Sequence, residues 1–169
     1  MATTGTPRKP AATKRPAARP AARKASTTDT RELLSMNQKQ LDALFRKSPP
    51  GPTPTGVADG TVIAGAGTPA TRVLAPLLGL AWRGKVFYPT KHDLLNRIGP
   101  IGLPLVRAKV YRAPSLLDGK PAIILDYTKS SLLAHSIRDE IREVAPGLYL
   151  GIVYVRGMKT INFALRLHK

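Results

Sequence analysis

Two periodicities divide the chain. Between Arg31 and Lys47 the apolar residues Leu34, Leu41, Leu44 and Phe45 fall seven, three and four positions apart, which places them on one side of a helix. Asp29 and Glu32 have the spacing of a capping box, so the helix is expected to start near Thr28 to Thr30. Ser48-Pro49-Pro50-Gly51-Pro52-Thr53-Pro54 ends it and predicts a stiff, extended connector, with the helix lying across one end of the domain that follows. From Gly56 the period changes to two. Val57 to Ala66 reads as a strand flanked by glycines, and Pro69 to Ala81 as a short helix between strands. Trp82, Gly84, Val86 and Tyr88 then alternate with Arg83, Lys85 and Phe87. Val106, Ala108 and Val110 alternate with Arg107 and Lys109 over Leu105 to Arg112.

Asp118-Gly119 is a turn signal, and Pro121 to Tyr127 is a short apolar strand behind it. Ser130 to Val144 supports two readings, because Leu133, Ile137 and Ile141 are four apart while Pro146-Gly147 closes the segment as a tight turn. A short helix over 130–135 with a strand after it reconciles them. Leu148 to Val155, a turn around Arg156-Gly157-Met158-Lys159, and an alternating run from Ile161 to Leu167 form the clearest hairpin. Six or seven strands at near-regular spacing predict an antiparallel barrel or strongly curved sheet, to which the helices at 30–47 and 69–81 are additions.

The first 24 residues change the picture. They contain an irregular Pro-Ala-Ala repeat punctuated by cations and no Leu, Ile, Val or aromatic residue, so nothing offsets the entropy of ordering them. The organisation expected is a disordered basic tail over 1–29, a helix and Pro-rich connector over 30–55, and a barrel-like domain over 56–169. The net charge is +17, of which residues 1–30 carry +6 and the rest +11. Arg8, Lys9, Lys14, Arg15, Arg19, Arg23 and Lys24 are therefore candidates for non-specific attraction to nucleic acid or an anionic membrane surface. The tail resembles the basic Ala/Pro/Lys-rich tails of linker-histone-type proteins. Its prolines argue against an amphipathic transit helix, no secretory segment follows it, and the expected location is cytoplasmic.

Chemistry is sparsely signalled. There is no cysteine, and His92, His135 and His168 are scattered without ligand spacing, so no metal and no cofactor are expected. Ser130, Ser131 and Ser136 lie in no nucleophile-elbow context, and Gly65-Ala66-Gly67 is too short for a dinucleotide loop. Asp126 follows an apolar run and shares a strand face with Ile124. If that face points inward its carboxylate needs a partner, for which Arg138, His135 and Asp139 are the candidates. Trp82, Tyr88, Tyr111, Tyr127, Tyr149 and Tyr154 could line a cavity, each phenol offering one hydrogen bond. Arg83, Lys85, Arg107, Lys109 and Arg112 read as cations on a solvated sheet face.

Trp82-Arg83-Gly84-Lys85-Val86-Phe87, Arg138-Asp139-Glu140-Ile141-Arg142 and Pro146-Gly147-Leu148-Tyr149-Leu150-Gly151 resemble a group of small bacterial proteins associated with lipocalin-like (calycin) barrels, over about residues 40–168. The order here is Gly79-Leu80-Ala81-Trp82, where lipocalins carry Gly-x-Trp. The resemblance implies an antiparallel lipocalin-like barrel with a cavity. The function expected is non-enzymatic binding of a small apolar or amphipathic ligand, oriented by Tyr127, Asp126 and Arg138, with the tail associating with a polyanion. Two other classes stay open: a nucleic-acid-associated protein acting through the tail, and a small isomerase or hydrolase using the same cavity.

Overall fold

Antiparallel strands with alternating inward and outward side chains close this chain into a barrel. The computed structural model describes residues 1–2, 28–63, 82–129 and 136–168. Within them lie β1 (Gly56–Ile63), β2 (Gly84–Tyr88), β3 (Asp93–Ile98), β4 (Leu103–Pro114), β5 (Pro121–Asp126), β6 (Ile137–Ala145), β7 (Leu148–Val155) and β8 (Met158–Leu167). Each pairs antiparallel with the next, and β8 returns to β1 with Ala58 opposite Leu167 and Val62 opposite Phe163. The result is an up-and-down barrel in which no strand is left as an open edge. Among the described residues there are eight strands, one more than the upper count read from the pattern. The predicted helices over 69–81 and 130–135, and residues 3–27 of the tail, fall outside the described residues.

The two faces of the wall bury different sets of residues. Phe87, Leu94, Val110, Ile123, Leu125, Tyr127, Ile141, Tyr149, Phe163 and Leu165 pack together inside. Ile124, Val144, Leu148, Leu150, Ile152 and Tyr154 face outward, under two short helices, α1 (Thr30–Ser35) and α2 (Gln38–Lys47). Since β7 is covered on both faces, all eight of its residues are buried, which is why it reads as a nearly unbroken apolar run.

The single helix expected over 30–47 is two. Asp29 does cap α1, accepting from the Glu32 N–H at 2.8 Å. The reciprocal capping box, however, is formed by Asn37 and Gln40, which start α2 afresh. The break shifts the helical phase, so Leu33 is buried and Leu34 is 51% exposed, the reverse of the predicted face. The helices lie along the outer wall instead of across an end. It is the connector that meets one end of the barrel: Pro49, Gly51 and Pro52 present their carbonyls to the Glu143 N–H (3.1 Å), the Arg112 guanidinium (2.5 Å) and the Tyr149 hydroxyl (2.7 Å). Between α2 and the wall, Arg142 is wholly buried, paired with both oxygens of Asp118 (2.7 and 2.8 Å) and stacked 4.6 Å from the Phe45 ring.

Candidate functional site

The other end of the barrel carries polar groups where the pattern would place apolar ones. Lys85 of β2, Asn96 of β3 and Asp139 of β6 all occupy buried positions, at 2%, 5% and 4% exposure. Tyr127, one residue past β5, joins them.

Lys85 is the centre of the cluster. Its ammonium donates to Tyr127 Oη at 2.6 Å, Asn96 Oδ1 at 2.9 Å and Asp139 Oδ2 at 3.0 Å, which accounts for all three of its N–H donors. It also lies 5.3–5.4 Å from the ring centres of Trp82, Tyr127 and Phe163. Asn96 accepts from Trp82 Nε1 (3.1 Å) and donates to the Val106 carbonyl (3.0 Å). Burial opposes the charge on Lys85. The Tyr127 oxygen and the Asp139 carboxylate more than restore it, and the ammonium holds its proton beyond the ordinary lysine range. Burial pushes the Tyr127 phenol up to about 12 and raises the Asp139 carboxyl above its usual value, the Lys85 charge limiting both.

Two features of the backbone make room for this arrangement. Gly60 and Gly151 lack the Cβ atoms that would run into the Trp82 and Phe163 rings, which meet edge to face at 5.6 Å and 81°. Opposite Asn96, β4 carries a bulge at Val106, held at φ 51°. That backbone region is costly for a β-branched residue, and here it turns the Val106 carbonyl onto Asn96. Outside, Trp82 borders a shallow depression of about 440 Å³ shared with Asp59, Arg83 and Arg97, which brings solvent to the aromatic end of the barrel.

Of the residues singled out in the sequence, Trp82, Tyr127 and Asp139 meet in this cluster. Tyr149 also points inward, but at the opposite end, where its hydroxyl is bound by the connector. Asp126, Tyr111 and Arg138 do not enter the barrel, because Ile124, whose face Asp126 shares, points outward. Asp126 and Arg138 are cross-strand neighbours, yet Arg138 pairs with Glu140 at 2.9 Å, and Asp126 accepts from the Tyr111 hydroxyl at 3.0 Å. Tyr88 alternates outward from Lys85 and Phe87, with Lys91 over its ring at 5.9 Å. His135 and the seven tail cations lie outside the described residues.

Lys85, Asn96 and Phe163 are the members the sequence reading missed. Lys85 was assigned to a solvated face because Trp82, Gly84, Val86 and Tyr88 formed the apolar set. Gly84, at φ 124°, breaks that alternation, so Trp82 turns inward together with Lys85. No group of three or more potential metal ligands occurs among the described residues.

Fold and site together define an eight-stranded antiparallel barrel with a satisfied ionic and aromatic cluster at one end. No family model and no curated protein matches the chain. A crystal structure of a protein from Thermomonospora curvata is similar, with a TM-score of 0.58 and 21% identity over 79% of this chain and 89% of that one. The likeness is one of fold, consistent with a lipocalin-like barrel. Among the described residues no helix is long and apolar enough to cross a membrane.

Proposed function

We propose that this is a non-enzymatic binding protein that holds a small amphipathic ligand at the Lys85 end of its barrel. The observation that carries the reading is a charged Lys85 buried among three aromatic rings, in a position where a purely structural barrel would place an aliphatic side chain. Desolvating an ammonium costs several kcal/mol, on the order of the stability of a small domain, so its retention calls for a role beyond packing. The apolar body of the ligand would lie against Trp82 and Phe163. A hydrogen-bond acceptor on the ligand would compete with Asn96 or Asp139 for the ammonium. The tail, with seven cations and one acid in its first 30 residues, would hold the protein near a polyanion through counterion release.

Native mass spectrometry of the protein purified from its native host tests the barrel reading. A defined extra mass is expected, lost on denaturation and absent from Lys85→Met. A bare mass at ligand-retaining conditions for both proteins would count against it. For the tail, affinity for duplex DNA should fall steeply with salt and disappear when the seven cations are replaced by alanine.

A further inference from the structure

A second concavity lies away from the Lys85 cluster. It runs along β4 and β5, has a volume of about 620 Å³, and is bordered by Lys109, Arg112, Lys129, Tyr111, Asp126 and His92. That volume is in the range of small-molecule sites. Its charge is unbalanced. The side chains of Lys109 and Lys129 make no ion pair or hydrogen bond among the described residues. Arg112 alternates to the other face of β4 and donates to the Gly51 carbonyl at the end of the barrel, so it borders the cleft without facing the two lysines.

The carboxylate in the cleft is already committed. Asp126 accepts from the Thr128 N–H at 2.9 Å and from the Tyr111 hydroxyl at 3.0 Å, so its effect is to orient the Tyr111 ring. That ring remains 41% exposed beside the cations. His92 is held at φ 51° behind a short turn, its carbonyl accepting from the Val110 N–H at 2.8 Å, and this fixes the far wall. Two lysines without side-chain partners against one committed carboxylate, next to an exposed ring in a cleft of small-molecule size, suit a ligand with a phosphoryl group and a flat apolar body.

We propose that this cleft binds a phosphorylated small molecule of the nucleoside monophosphate type, with Lys109 and Lys129 on the phosphoryl group and Tyr111 against the ring. The site is separate from the Lys85 cluster and does not draw on the tail cations. Adenosine 5′-monophosphate serves as the probe, titrated into the full-length protein by calorimetry. One-to-one saturable binding is expected, weakened at least tenfold in Lys109→Ala/Lys129→Ala and severalfold in Tyr111→Leu. Both lysines and the tyrosine are exposed, so these variants should fold, which the circular dichroism spectrum verifies. The variant Lys14→Ala/Arg15→Ala/Arg19→Ala should bind as tightly as the parent. Absence of saturable binding to the parent, indifference to the two lysine substitutions, or loss of binding with the tail substitutions would each overturn the proposal.

Discussion

At the scale of single residues, the decisive feature is that the Lys85 cluster is fully partnered within the barrel. Removing one member of a buried ion pair leaves the other charge desolvated, at a cost of about 3–5 kcal/mol. Lys85→Met should therefore destabilise the protein by an amount of that order, read from the midpoint of urea unfolding. Asp139→Leu alone should do likewise. The double variant Lys85→Met/Asp139→Leu should recover most of the loss, because two apolar groups of similar volume replace the pair. Additive losses in the double variant would show that the two side chains do not act as a pair. The same cluster explains what was illegible in the sequence. Asn96 sits at an inward position of Asp93–Ile98 and interrupts the apolar alternation there, so β3 carries no strand pattern. Lys85 was visible but was placed on the wrong face, since the glycine that resets the phase sits directly before it.

Whole strands and helices were more readable than their contacts. β4 to β8 lie where alternation and turn residues place them, because their inward positions are filled by aliphatic and aromatic side chains. The Asp118-Gly119 and Pro146-Gly147 turns recur in the structure, each with its glycine at positive φ. What one-dimensional periodicity could not supply was which face of β5 and β6 points inward, and this is why Asp126 and Arg138 are outside and Asp139 is inside. Contact between elements is testable through Gly151, on which the Phe163 ring lies. Gly151→Ala in β7 should overpack the barrel and cost about 1–3 kcal/mol. Adding Phe163→Leu should relieve that strain, so the double variant should be more stable than the sum of the single changes predicts. A Gly151→Ala protein as stable as the parent would mean that the ring does not pack where it is described.

For the molecule as a whole, the closed barrel sets the pH behaviour through its buried protons. Lys85 and Tyr127 both hold their protons more tightly when folded, Lys85 above its ordinary 10.5 and Tyr127 at about 12 against an ordinary 10. Raised folded values mean that their contribution is complete below pH 10 and is lost as pH rises towards and past about 12. Asp118 behaves oppositely. Its hydrogen bonds to Arg142 hold the carboxyl below its usual 3.8, so that contribution is whole above pH 4 and is lost in stronger acid. Thermal melts should therefore be nearly level across neutral pH and fall on both sides. Tyr127→Phe should flatten the alkaline fall and leave the acid fall unchanged.

The central claim, a ligand site at the Lys85 end, is open to direct optical measurement because Trp82 is the one tryptophan in the chain and lies in the cluster. Titration of the native protein with the amphipathic anion 1-anilinonaphthalene-8-sulfonate, followed through tryptophan emission, reports occupancy at that end alone. Saturable quenching at one probe per chain is expected, weakened at least tenfold in the Lys85→Met/Asp139→Leu protein. Probe fluorescence that rises while Trp82 emission stays constant would place binding elsewhere and contradict it.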